Sequence, residues 1–187
     1  QVCIVFGVVL KSNGKPTNNL LTISSKGDII ANYAKIHPFS FAEEHRFYEK
    51  GDKVSFCSIN NVLFGFAICY DLRFPELFQA LSKSCDIVVI IANWPEKRVD
   101  HWDTLLKARA IENQVFIVGV NRIGMDGNGL SYSKSSKIFN PNGELGYPLL
   151  SEGEIDVYEI DCSIVKKTRE TFPVKKDRQI EFYKSLL

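Results

Sequence analysis

The chain has 187 residues, 45% of them hydrophobic and 24% charged, the make-up of one globular domain with a real core. Its 23 Lys and Arg nearly balance 22 Asp and Glu, so a net charge of +1 leaves no basic footprint for nucleic acid or for an anionic membrane. No apolar run reaches the roughly 20 residues that a membrane helix needs, no signal-peptide pattern opens the chain, and five scattered cysteines without a CxxC pair indicate neither a disulfide framework nor a zinc knuckle.

The chain opens inside an apolar run, and residues 2–10 read as a strand. No Met precedes them, Met125 being the only one. Chains seldom start mid-strand, so the sequence reads as the later part of a longer polypeptide. Residues 11–19 form a turn-rich loop. Residues 20–24 and 29–34 are strands joined by a turn at 25–28, and the second delivers Lys35 at its end. Residues 36–53 are irregular, aromatic and charged, as functional loops often are. Residues 54–59 and 62–68 form a hairpin that runs into Cys69.

The helix expected at 75–82 has Leu77, Phe78 and Leu81 on one face. Residues 86–92 form a fully buried strand of the kind a parallel sheet contains. The clearest helix is 100–113, with Asp100 as N-cap and Trp102, Leu105, Leu106, Arg109, Ala110 and Asn113 on its inner stripe. A strand at 115–120, a turn at 140–144, a strand at 154–160 and a short helix at 163–171 follow. Residues 172–187 read as a basic, aromatic tail. Strands and helices alternate, which predicts a single α/β domain over residues 1–187.

Chemistry concentrates where the strand at 62–68 stops. Cys69, Asp71 and Arg73 follow at once, and Pro75 suits the first turn of a helix. A thiol at such an elbow can act as nucleophile, with the Tyr70 N–H free for an oxyanion. A free Cys is also commonly a small buried hydrophobe. A thiol with a pKa of about 8.5 needs a base or a cation nearby, and Lys35 can supply the cation, although a strand-end lysine is more often simply solvated. His37 and His45 would allow a Cys–His dyad, but loop histidines are more commonly exposed. Trp94, before Pro95 at a strand end, is a candidate pocket wall. His101 and Trp102 read as packing, and Arg73 with Glu76 as a structural pair beneath the elbow. No HExxH or EF-hand pattern occurs, so no metal is expected.

Residues 65–76 (GFAICYDLRFPE) resemble the nucleophile elbow of the nitrilase, or carbon–nitrogen hydrolase, superfamily. Residues 33–39 (YAKIHPF) resemble its lysine motif, and residues 43–48 with Gly51 and Asp52 its second-glutamate segment. Residues 92–95 (ANWP), His101-Trp102, 108–113 (ARAIEN), 121–124 (NRIG) and 126–129 (DGNG) follow in the family's order. The resemblance covers nearly the whole chain and is nearest to the omega-amidase type.

It implies a four-layer α-β-β-α sandwich and a homodimer, while the scattered cysteines point to a reducing, cytoplasmic setting and no cofactor is expected. It implies hydrolysis of a small carboxylate-bearing amide, such as 2-oxoglutaramate, to acid and ammonia through a thioester on Cys69. Lys35 and the Tyr70 N–H would serve the oxyanion, Glu44 would position Lys35 and the substrate amine, and Tyr70 and Trp94 would contact substrate. The family's first glutamate, its general base, belongs upstream, and no Glu occurs before Glu43. The expectation is therefore an N-terminally incomplete domain. A binding or scaffold protein that keeps the fold without catalysis stands as the alternative, and a Cys–His hydrolase on another fold as a third reading.

Overall fold

Short apolar runs separated by turn residues build a small antiparallel sheet first. In the computed structural model, which describes residues 2–11 and 13–186, β1 (Ile4–Leu10), β2 (Thr17–Ile23) and β3 (Ile29–Ala34) pair in sequence order. The stretch 36–53 then holds one 3₁₀ turn and a single-turn helix, α1 (Glu44–Phe47). β4 (Phe56–Ile59) and β5 (Val62–Ile68) form a hairpin. Asn60 and Asn61 between them both have positive φ, the left-handed pair that a two-residue hairpin turn requires.

From β5 the chain passes through α2 (Pro75–Leu81) to β6 (Ile87–Ala92), and through α3 (Val99–Asn113) to β7 (Phe116–Asn121). β5, β6 and β7 lie parallel, because a helix carries the chain back to the starting edge each time. A small hairpin, β8 (Gly124–Met125) with β9 (Ser131–Tyr132), precedes β10 (Lys137–Phe139), which pairs antiparallel to β7. The strand order of the large sheet is thus β10-β7-β6-β5-β4. A hairpin of β11 (Leu150–Glu152) and β12 (Ile155–Val157), then α4 (Ser163–Thr171) and α5 (Ile180–Leu186), complete the chain.

Successive side chains of a strand point to opposite faces, so each central strand serves two layers. Ala67, Val88, Ile90 and Ile117 pack against Phe78, Leu81, Trp102 and Leu106 of α2 and α3. Phe66, Ile68, Ile87 and Val89 pack against Leu20, Ala31 and Tyr33 of the small sheet. Among the described residues, helices, large sheet and small sheet form three successive layers, α-β-β, of the α-β-β-α order that the resemblance implies. Ile4, Val9 and Ile29 of the small sheet stay exposed.

β2 begins at Thr17, inside the expected loop, α1 and β8 to β11 have no counterpart in the sequence expectation, and three further elements differ from it. α3 starts at Val99 with Arg98 at the cap position, so Asp100 is not the N-cap but sits inside the first turn. There its carboxylate still faces the favourable end of the helix dipole. The strand expected at 154–160 shrinks to β12. The basic, aromatic tail, to which the sequence assigns no element, holds a 3₁₀ turn and α5. Lys175 donates to the Ser82 carbonyl at the end of α2 (2.7 Å), and Arg178 to the Glu112 carbonyl in the last turn of α3 (3.1 Å). Helix C-termini leave such carbonyls without partners, and cations satisfy them.

One glycine couples the loop to β3. The Gly51 N–H bonds the Lys35 carbonyl (2.8 Å), and a Cβ on Gly51 would fall 2.1 Å from the Ala34 carbonyl oxygen. Gly51→Ala should therefore destabilise the fold by about 1–3 kcal/mol, read as a lower urea midpoint. An unchanged midpoint would show that the loop does not press on β3.

Candidate active site

Lys35 is placed by backbone hydrogen bonds on both sides. Its N–H bonds the Asn18 carbonyl (2.8 Å), and its own carbonyl receives Gly51. Its side chain is only 5% exposed and donates to Glu44 Oε2 at 2.6 Å. The same oxygen accepts the Phe39 N–H (2.6 Å), while Oε1 accepts Asn18 Nδ2 (3.0 Å). Glu43, in the left-handed conformation just before α1, turns outward and pairs with Arg46. The structure therefore brings Glu44, and not Glu43, to Lys35. Burial alone would raise the Glu44 carboxyl, but hydrogen bonds from Lys35, the Phe39 N–H and Asn18 hold it below the usual glutamate range.

Cys69 stands at the turn from β5 into a 3₁₀ turn over Cys69–Arg73, with φ of 47°. That left-handed backbone costs a non-glycine residue about 1–3 kcal/mol and is the kind of strain that clusters at functional sites. The half-buried thiol contacts the Asn93 carbonyl at 3.8 Å. The Tyr70 N–H lies in the first turn, where no acceptor exists within the helix. Burial pushes the Cys69 thiol up, and the Lys35 charge and a backbone hydrogen bond at Asn93 pull against it.

The residue that fixes the elbow is Asp71, which is fully buried. It accepts the Ile68 N–H (2.9 Å), the Tyr33 hydroxyl (2.8 Å) and the His37 N–H (3.0 Å), and meets His37 Nδ1 at 2.8 Å. His37 is thus half-buried and stacked on Phe74 at 3.8 Å, not the exposed loop histidine expected. A Cys–His dyad draws no support from it: among the described residues the thiol's hydrogen bond goes to the Asn93 carbonyl and none joins it to His37. His45 is exposed.

Arg73 and Glu76 do not pair. Glu76 is exposed, while the Arg73 guanidinium lies 4.9 Å over the Trp94 ring with Nη2 at 3.2 Å from His101 Nδ1. The support beneath the elbow is Arg109, whose Nε and Nη2 both donate to the Leu72 carbonyl (3.1 and 2.9 Å). Trp94 is 4% exposed, packs on Trp102 at 5.4 Å and donates to the Arg98 carbonyl (2.7 Å). So buried a ring makes a poor pocket wall and supports the Asn93 loop from behind. Tyr70 is half-buried, with its ring 4.8 Å from Phe39 and 5.2 Å from Phe74. Sequence reasoning gave Asn121 no role. Its buried amide clamps Trp94 at both N–H and carbonyl (2.7 and 2.9 Å), which holds the loop that meets the thiol.

Residues 1–170 match the carbon–nitrogen hydrolase family. The chain belongs to that family. It is 37% identical over 188 residues to the "Hydrolase in agr operon" of Staphylococcus aureus, spanning 98% of this chain and 72% of the relative. It is 35% identical to omega-amidase YafV of Escherichia coli K12 (93% and 68% covered) and 34% identical to 2-oxoglutaramate amidase of Bacillus subtilis 168 (97% and 71%). Among solved structures it is similar to XC1258 from Xanthomonas campestris, a CN-hydrolase superfamily protein with an arsenic adduct in its active site. There the TM-score is 0.86 at 32% identity, over 95% of this chain and 69% of that one. The α/β sandwich is accordingly of the nitrilase type.

The arrangement brings together a strained thiol, a buried ammonium whose charge acts on it, and a first-turn backbone N–H one residue beyond the thiol. Among the described residues no group of three or more His, Cys, Asp or Glu is placed to hold a metal. A surface groove of about 380 Å³ beside Phe116, Ile138 and Tyr158 contains neither Cys69 nor Lys35. Removing the ammonium should leave burial and two carboxylates opposed only by the Asn93 backbone at the thiol, so its pKa rises further. Alkylation by iodoacetamide follows the thiolate. The pH–rate curve of Cys69 should therefore move to higher pH in Lys35→Met, and a curve that stays in place would show that the two groups do not interact.

Proposed function

We propose that the chain hydrolyses a short linear amide bearing a carboxylate, of the 2-oxoglutaramate kind, through a thioester on Cys69. The observation that carries this reading is a lysine 5% exposed, anchored by Glu44, whose charge acts on a thiol at a strained elbow. The substrate class draws on relatives named omega-amidase and 2-oxoglutaramate amidase. In this reading the Cys69 thiolate adds to the amide carbon, and the carbonyl electron pair moves onto oxygen. The Lys35 ammonium and the Tyr70 N–H stabilise that oxyanion. Collapse expels ammonia, which carries the proton the thiol gave up. Water then adds to the thioester, releasing the acid and restoring the thiol. The five unpaired cysteines suit a cytoplasmic setting, and a homodimer follows from the family resemblance.

The proton step separates this from a second reading, a fold kept for binding without turnover. Glu44 and Asp71 are the carboxylates whose charges act on Cys69, and hydrogen bonds commit both. A positioned acid–base group contributes about 10²–10⁴ in rate, and neither carboxylate is free to serve as one.

Cys69→Ala should abolish turnover of 2-oxoglutaramate while urea unfolding still shows a cooperative fold. Lys35→Met should lower kcat by about 10²–10³, more than it raises KM, because an oxyanion donor acts in the transition state. Retained turnover in Cys69→Ala would overturn the proposal, and a change confined to KM would make Lys35 a binding residue only. Absence of turnover in the unmodified protein, with Cys69 alkylated no faster than the other cysteines, would favour the scaffold reading.

A further inference from the structure

The three central parallel strands end side by side, β5 at Ile68, β6 at Ala92 and β7 at Asn121. The residues just beyond them are Cys69, Asn93 and Arg122. The Arg122 N–H still bonds the Ala92 carbonyl (3.1 Å), so the arginine leaves the sheet at a fixed point. Open α/β sheets gather their ligand-binding groups at this carboxyl edge. The half-buried Arg122 guanidinium lies 4.7 Å over the Tyr132 ring, and its Nη2 donates to the Met125 carbonyl (3.3 Å).

The nearby carboxylate does not use up this cation. Asp126 Oδ1 accepts the N–H groups of Asn128 and Leu130 (2.9 Å each), and Oδ2 accepts the Tyr132 hydroxyl (2.8 Å). Asp126 therefore closes its own turn and holds Tyr132 flat beneath the arginine. Arg122 itself makes no ion pair among the described residues. A planar fork braced on an aromatic ring, with most of its N–H groups uncommitted, matches a carboxylate in shape and charge. The Tyr132 hydroxyl feels Asp126, Arg122 and also Cys69, which places the arginine and the thiol in one neighbourhood.

We propose that Arg122 is the specificity-determining residue of this site, binding the carboxylate at one end of the substrate while the amide carbon at the other end meets Cys69. This rests on the amidase reading above, and it assigns that reading's anionic substrate class to a particular side chain. Arg73 is the competing cation. Its fork is partly occupied by His101, and it springs from the 3₁₀ turn instead of a strand end.

The test measures how well 2-oxoglutarate, against the neutral butyramide, protects Cys69 from iodoacetamide in the purified protein. Wild type should favour the anion. Arg122→Gln should lower the ratio of the two protections by about 10–100-fold, the worth of a charge-assisted hydrogen bond or two. Arg122→Lys, which keeps the charge and the stem but loses the fork, should fall between them and decides the matter if the Gln variant does not fold. An unchanged ratio in both variants, or the same loss in Arg73→Gln instead, would overturn the assignment. Turnover is read separately. A wild type protected by 2-oxoglutarate that fails to hydrolyse 2-oxoglutaramate would end the amidase reading and leave Arg122 standing. Turnover of amides without preference for the anion would end the Arg122 assignment alone.

Discussion

A buried carboxylate joins the two halves of the candidate site. Asp71 accepts hydrogen bonds from Tyr33 on β3, from Ile68 at the end of β5 and from His37 in the loop between the sheets. Lys35 lies two residues beyond Tyr33, and Cys69 one residue beyond Ile68. The ammonium and the thiol belong to different sheets, and this one side chain sets one against the other. A carboxylate taken out of water costs several kcal/mol unless its lone pairs are met. Here they are met, and charge-assisted bonds are roughly twice as strong as neutral ones. Burial and Asp71 together push the Tyr33 phenol far up, so its proton stays in place as a donor.

The same economy of charge governs the lysine. Glu44 fixes Lys35 at one end of its reach and is held below the usual glutamate range in doing so. A carboxyl with a lowered folded-state pKa contributes stability that is complete above the ordinary range and is lost as pH falls through its folded value. The loop 36–53 therefore stays anchored at neutral pH and loosens in acid. A carboxylate so engaged is a poor base. The geometry thus favours nucleophile and oxyanion functions for the residues at hand, while the proton carrier is the part of the chemistry that Glu44 and Asp71 do not supply.

Much of this was legible in the residues. The apolar runs at 62–68 and 86–92 are strong because strands buried on both faces show little alternation. The strand at 29–34 is legible from its turn and hairpin partner instead, and the ends of the strands at 62–68 and 29–34 place Cys69 and Lys35. The misses share a cause, which is that side chains reached partners far away in sequence. His37 looked like a surface residue because its partner Asp71 is 34 positions on. Arg73 and Glu76 suggested a local pair, but Arg73 found Trp94 and His101 instead. Trp94 read as a pocket wall at a strand end, but its backbone is clamped by Asn121, 27 residues later, and its ring is buried against Trp102. The order in residues 172–186 depends on helix C-termini that no local pattern reveals. The Tyr132–Asp126 hairpin beneath Arg122 escaped notice because two-residue strands leave no periodicity to read.

The account stands or falls on whether Cys69 carries the acyl group. The most direct measurement is intact-mass and peptide-mapping analysis of the purified protein, quenched in acid shortly after mixing with 2-oxoglutaramate. The account predicts an added mass equal to the substrate less ammonia, confined to the peptide that contains Cys69 and absent from Cys69→Ala. An adduct on another residue, or turnover that persists with no adduct at any time point while Cys69→Ala remains active, would contradict it.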